Sequence, residues 1–243
     1  MKECLTMNKE INVSVAMATY NGEKYIREQI SSILINLSDN DELIISDDGS
    51  TDKTLEIIKS FKDERIKVIE GPKNGIIKNF ENAISNCNGN FIFLSDQDDI
   101  WKPNKVKVVL DEFEKEKKLI LIVHDNKIVD SNLNLICDSF FKFRKCKNGF
   151  LNNLIKNSFI GCCIAFKKEL KNHIIPIPID MPMHDQWIGL IALKNGKVKF
   201  ISDKLILYRR HDNNSSCFKK NSIIKMIKLR LIIIKNLILK KEI

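Results

Sequence analysis

The sequence predicts an α/β protein with a Rossmann-like, mostly parallel central sheet flanked by helices, followed by a basic amphipathic helix at the C-terminal end. Three observations point there. Short β-rich apolar runs alternate with helical patterns through the first half of the chain, as in a parallel sheet covered on both faces. Acidic and turn-forming residues gather where those runs stop, which in open α/β sheets is where ligands bind. The last residues mix Ile and Leu with Lys at a helical spacing.

Taken in order, a strand is expected at Ile11–Ala18 and a helix from about Glu23 to Leu37 after Gly22. A strand at Glu42–Ser46, a helix over Thr51–Phe61, a strand at Arg65–Glu70 and a helix near Ile76–Cys87 follow, leading to a strand at Phe91–Ser95. Pro103 suits a first helical position and opens a helix to about Lys117. The second half is less regular. Leu119–His124 reads as a strand, Phe140–Asn148 as an aromatic, basic loop, Gly149–Asn157 as a helix and Gly161–Lys167 as a strand. Pro176, Pro178 and Pro182 make residues 174–183 an extended connection before a helix at His184–Lys194 and strands near Lys197–Ile201 and Lys204–Tyr208.

Composition narrows the class. A hydrophobic fraction of 44% with 29% charged residues suits a folded domain and argues against disorder and against a membrane-embedded chain. The seven cysteines form no C-x-x-C pair, so neither a zinc site nor a disulfide framework is expected, and a reducing compartment fits. The N-terminal MKECLTMNKE has no apolar secretory segment, and a cytoplasmic location is the expectation. Of the formal charge of +9, residues 218–243 carry +7, from Lys219, Lys220, Lys225, Lys228, Arg230, Lys235, Lys240 and Lys241 against Glu242. A nearly neutral body over residues 1–217 with a basic tail over residues 218–243 argues against a nucleic-acid-binding face.

Four clusters fall at strand exits or a helix start. Asp47-Asp48-Gly49-Ser50-Thr51-Asp52 could make a turn and cap a helix, but two adjacent carboxylates also suit a nucleobase N–H or a ribose hydroxyl. Ser95-Asp96-Gln97-Asp98-Asp99-Ile100-Trp101 sets three carboxylates within four residues, whose mutual repulsion a hard divalent cation would offset. Met183-His184-Asp185-Gln186-Trp187 places Asp185 in a first helical turn, as dipole compensation or as a general base. Tyr208-Arg209-Arg210-His211-Asp212-Asn213-Asn214 is either a basic surface turn or a grip for a diphosphate leaving group. His124 and His173 read as structural.

In this order and spacing the clusters resemble the family 2 glycosyltransferases, whose catalytic domain has the GT-A fold. The resemblance runs over about residues 11–215 through Val13–Gly22, Ile44–Asp52, Asn74-Gly75 with Asn79, Leu94–Trp101, His184–Trp187 and Tyr208–His211. The Ser-Asp-Gln-Asp-Asp-Ile-Trp and His-Asp-Gln-Trp forms look like the rhamnosyltransferase-like branch, whose members build bacterial surface polysaccharides. The resemblance implies a nucleotide site at Ala18, Thr19, Tyr20, Asn21, Asp47, Asp48, Asn74, Gly75, Asn79, Asp96 and Gln97, with Asp48 on the base. It implies Mg²⁺ or Mn²⁺ on Asp98, with Asp96 and His211 beside it, and a diphosphate held by Arg209, Arg210 and His211. Asp185 would be the general base of an inverting transfer from a UDP- or dTDP-sugar to a saccharide or lipid-linked acceptor. The processive synthases' Gln-x-x-Arg-Trp motif is missing from the sequence, which favours addition of one sugar. Arg-Arg-His-Asp departs slightly from the commoner Arg-x-His-Gly pattern, with Asp212 in place of the Gly.

Two other functions compete with this reading. A sugar nucleotidyltransferase would carry a glycine-rich basic phosphate loop, which Thr19-Tyr20-Asn21-Gly22 is not. A catalytically silent binding or assembly subunit would be expected to lose Asp48, Asp98 and Asp185. In the tail, Lys225, Lys228, Lys235, Asn236 and Lys240 share one arc of a helical wheel and Ile223, Ile227, Leu231, Ile234 and Ile238 the other. That pattern suggests peripheral attachment to an anionic membrane surface, with packing on the body or on a second copy in a homo-oligomer as the alternative.

Overall fold

The computed structural model describes residues 12–212, 214 and 222–240. Of the residues singled out above, Cys4, Ile11, Asn213, Cys217, Lys219, Lys220, Asn221, Lys241 and Glu242 lie outside them, as does the side chain of Ile223. Strands β1 (Val13–Thr19), β2 (Glu42–Asp47), β3 (Ile66–Glu70) and β4 (Phe91–Ser95) alternate with helices α1 (Ile26–Leu34), α2 (Thr54–Lys59) and α3 (Gly75–Ser85). Then come β5 (Ile100–Trp101), α4 (Lys105–Lys115), β6 (Leu119–Val129), β7 (Leu135–Cys137), α5 (Phe140–Arg144) and α6 (Phe150–Ile155). The chain continues through β8 (Ile164–Lys167), α7 (Lys171–Ile174), α8 (His184–Asn195), β9 (Lys197–Arg209) and α9 (Ile223–Leu239).

The strands form one sheet in the order β3-β2-β1-β4-β8-β6-β9-β5, with β7 on β6. The expected parallel order holds for β3, β2, β1 and β4 and for the β6–β9 pair. β8 runs antiparallel to both of its neighbours, and β5 to β9, so the sheet is mixed. Instead of two strands near Lys197–Ile201 and Lys204–Tyr208, one strand bends past an irregular register opposite His124, Asp125 and Lys127.

β1 is buried along its whole length, as a strand covered on both faces must be. Ile26, Ile30 and Ile33 put one face of α1 into that core, each burial worth about 1.5–3 kcal/mol relative to exposure. α8 is buried on every side from His184 to Ala192, and the indole of Trp187 donates to the carbonyl of Ile174 at 2.8 Å. The expected loop at Phe140–Asn148 instead opens with α5. Ser139 caps that helix, accepting from Lys142 N at 3.1 Å while donating to the buried carboxylate of Asp125.

The tail forms α9, but the face it presents differs from the simplest amphipathic arrangement. Asn236 and Lys240, both on the polar arc, turn inward, donating to Asp180 Oδ1 at 2.7 Å and to the carbonyl of Ile175 at 2.9 Å. Ile233 and Leu237 pack beside them, while Ile227, Leu231, Ile234 and Ile238 face outward. Among the described residues, no helix is long and apolar enough to cross a membrane.

Candidate active site

The exits of β1, β2 and β4 are stitched together by side chains from the first two clusters. Gln97 Oε1 accepts from the hydroxyl of Thr19 at 2.5 Å and from Tyr20 N at 3.0 Å, and its amide donates back to the carbonyl of Tyr20 at 3.1 Å. Gly22 permits that contact, because a Cβ there would lie 2.4 Å from Gln97 Oε1. Asn21 sits in the left-handed region at φ 49°, donating its N–H to Ser50 Oγ and accepting from Thr51 N. Asp48 reaches across to the third strand exit, where its two oxygens accept from Lys73 N at 2.6 Å and Gly75 N at 3.1 Å. Asn74 stands exposed between them.

Three residues expected around the ligand make hydrogen bonds within the protein. Asp47 is buried and folds back on its own turn, accepting from Gly49 N, Ser50 N and Ser50 Oγ. Asn79 is buried under the sheet edge and donates to the carbonyl of Thr19 at 3.2 Å. Arg209 is 3% exposed. Its guanidinium donates to the carbonyls of Asp98 and Ser131 and to Glu28, and lies 4.4 Å above the ring of Tyr25. Ala18 and Thr19 also bury their side chains, leaving mainly backbone at that point.

The acidic centre divides into two parts. Asp98 faces a cleft, and its Oδ2 meets His211 Nε2 at 2.8 Å and accepts from Asn214 Nδ2 at 3.1 Å. Behind it, Asp96, Asp99 and Cys162 offer ligand atoms within 4.8 Å of one another. Burial, reinforced by the charges of Asp98 and Asp185, pushes the Asp96 carboxyl up to about 7. Burial and the charges of Asp98 and Asp96 raise Asp99 well above the carboxylate range, although Arg209 N donates to it at 2.9 Å. A hard divalent cation prefers oxygen donors, so the Asp98 side, open to the cleft, suits Mg²⁺ or Mn²⁺ better than the sulfur-containing rear cluster.

Asp185 opens α8 on the other side of this centre. It is buried, and burial pushes its carboxyl up to about 7 against the opposing hydrogen bonds of Gln186 N, Asn157 and Gly161 N. Asn157 Nδ2 donates to Asp185 Oδ1 at 3.1 Å. The preceding His184 stacks on Phe80 with ring centroids 4.1 Å apart, and burial lowers it to about 3, so it is neutral near pH 7.

The cleft itself has a volume of about 610 Å³, with Tyr20, Gln97, Asp98, Arg210 and His211 among its walls. Asp130 and Ser131, from the turn after β6, complete it without having been singled out in the sequence. Neither had Tyr25, which stacks on His211 at 4.8 Å, nor Asn157. An Asn in a helix exit and a Tyr in a first helical turn carry no spacing signal of their own.

Residues 14–174 match the family described as Glycosyl transferase family 2. The chain belongs to that family. Among its family 2 relatives is UDP-Glc:alpha-D-GlcNAc-diphosphoundecaprenol beta-1,3-glucosyltransferase WfgD of Escherichia coli, 30% identical over 209 residues, covering 84% of this chain and 78% of that protein. Another is dTDP-rhamnosyl transferase RfbG of Shigella flexneri, 31% identical over 217 residues, covering 82% and 72%. The fold is the GT-A fold of S. aureus TarS 1-349 in complex with UDP-GlcNAc, with a TM-score of 0.72 at 21% identity, over 91% of this chain and 66% of that one. The chain thus spans just under two thirds of that structure's length. The resemblance noted in the sequence is therefore one of family and fold, and a relative of the rhamnosyltransferase kind is among the matches.

Proposed function

We propose that this family 2 glycosyltransferase moves a single sugar from a UDP- or dTDP-sugar to a hydroxyl of a lipid-linked saccharide, with inversion, in bacterial surface polysaccharide assembly at the inner face of the cell membrane. The observation that carries the reading is Asp185. It is a buried carboxyl pushed up to about 7 within electrostatic reach of Asp96, which in turn feels the charge of Asp98 on the cleft wall.

In this mechanism the nucleotide lies along the joined exits of β1, β2 and β4. Asp48 retains acceptor capacity for a base N–H beyond its two backbone contacts. Tyr20 offers an exposed ring, and the backbone around Thr19 and Asn21 lies alongside. Asp98 and His211 would hold a divalent cation, which supplies charge neutralisation for a diphosphate. Arg210 adds a guanidinium on the same wall of the cleft. Arg209 does not touch the diphosphate; it fixes the carbonyl of Asp98 and so the loop that presents the carboxylate. Asp185 takes the proton from the acceptor hydroxyl. The acceptor oxygen then bonds to the anomeric carbon as the bond from that carbon to the diphosphate oxygen breaks, and the nucleoside diphosphate leaves.

Support for the donor class comes from the two relatives, whose names give UDP-Glc and dTDP-rhamnosyl donors, and support for a lipid-linked acceptor from the diphosphoundecaprenol in the first name. The test is incubation of the purified chain with a panel of UDP- and dTDP-sugars, Mg²⁺ or Mn²⁺ and lipid-diphosphate saccharides. Addition of one sugar with inverted anomeric configuration is the expected product; transfer of a nucleotidyl group, or no turnover with any donor, would overturn the reading.

A further inference from the structure

α9 docks through Ile233, Asn236, Leu237 and Lys240, which leaves much of its apolar arc facing outward. Ile227, Leu231, Ile234 and Ile238 recur at i, i+4, i+7 and i+11 along one outward face. Arg230 donates from this helix to the carbonyl of Ile155 at the end of α6, which brings Leu151 and Ile155 to the same region. These six side chains are between 38% and 71% exposed, more apolar surface than a free helix face in water ordinarily shows.

The charge around them is strongly basic, although Asp180 lies beside α9 and faces Lys235 at 3.9 Å. Residues 139–157, which hold α5 and α6, contain Lys142, Arg144, Lys145, Lys147 and Lys156 and no acidic residue. Residues 222–240, which hold α9, contain Lys225, Lys228, Arg230, Lys235 and Lys240 and no acidic residue. The two segments are tied by Arg230 on Ile155, and within the first of them Lys156 donates its ammonium to the carbonyl of Arg144.

We infer that this face is a docking surface for a bilayer containing anionic lipid. An apolar stripe buries in the acyl boundary while flanking lysines meet the headgroups. A symmetric contact with a second copy would set the same cations against each other, with Asp180, already engaged by Asn236 and Lys235, to offset them. Asn157, two residues beyond Ile155, donates to Asp185, which links the docked segment to the proposed base. The inference rests on the proposed reaction only for that last step, and it names the acceptor's source as the membrane plane itself.

The test is flotation of the full chain with phosphatidylcholine vesicles and with mixed phosphatidylcholine–phosphatidylglycerol vesicles. The chain is expected to float with the mixed vesicles and to stay behind with phosphatidylcholine alone, and added salt to release it. Ile227→Asp with Leu231→Asp should abolish flotation. Lys228→Gln and Lys235→Gln should each weaken it about fivefold, with unchanged Tm in every variant. Flotation equal on both vesicle types, flotation retained by the Asp variant, or a dimer that the Asp variant dissociates in analytical ultracentrifugation would each overturn the proposal. None of these readouts needs turnover, so a chain that floats yet transfers no sugar sinks only the proposed reaction.

Discussion

Asn157 Nδ2 donates to Asp185 Oδ1 over 3.1 Å, joining the exit of α6 to the first turn of α8. The pair fixes the direction in which a buried carboxyl can work. Asp185→Asn keeps the shape and removes the base, so kcat should fall by about 10²–10⁴-fold. Donor binding, followed by thermal shift with UDP, should stay near wild type.

The acid limb of the kcat profile should lie near pH 7, because Asp185 is pushed up to about 7 and accepts a proton only when ionised. Activity therefore falls as pH drops through that value. Asn157 favours the charged form, so Asn157→Ala should move the limb to higher pH while activity at alkaline pH recovers. A parallel loss at all pH values would mean that Asn157 merely supports the fold.

Stability should run the opposite way. Asp96 and Asp185 have an unfolded reference near 3.8 and are both raised to about 7, so between those values the folded chain binds more protons than the unfolded one. Stability is then highest at low pH within that window and declines as pH rises through it. Asp96→Asn removes the repulsion with Asp98 and Asp185. At pH 8 it should raise the Tm by roughly 2–4 °C for each kcal/mol relieved, at the expense of activity.

Gly22 has no room for a side chain beside Gln97. Gly22→Ala should part the exits of β1 and β4 and weaken nucleotide binding by at least about tenfold, a loss of roughly 1.4 kcal/mol. Calorimetric titration with UDP checks this. Unchanged affinity would show that the two loops need not be locked together.

Asp98 and His211 should carry the divalent-ion requirement. Asp98→Ala or EDTA should each lower kcat by about a hundredfold, equivalent to roughly 2.7 kcal/mol of charge stabilisation. The two effects should not add, and circular dichroism should show an intact fold in both cases. Full activity in EDTA would remove the metal from the mechanism.

Much of this architecture was legible in the chain. The apolar runs that became β1, β2 and β4 are short, bounded by turn residues and buried on both faces, and the carboxylates that follow them converge because parallel strands end on the same side. What stayed illegible depends on contacts distant in sequence. Arg209 looks like a ligand residue until Glu28, 181 positions earlier, and the ring of Tyr25 enclose it. Asp47 and Asn79 carry the same chemistry as Asp48 and Asn74 and differ in burial. β8 reads as one more strand, and nothing in Ile164–Lys167 records that it runs antiparallel. The wheel of α9 does not say that the helix meets the body along the edge formed by Ile233, Asn236, Leu237 and Lys240.

The two-residue strand β5 pairs with Leu207 and Ile206 of β9, and Asp99 accepts from the backbone N–H of a residue 110 positions later. On the ribosome, the acidic loop therefore emerges long before the strand that anchors it. The candidate pocket needs His211, from just beyond β9, to complete its wall. A chain released before β9 would lack the strand that holds Asp99 and the imidazole that meets Asp98.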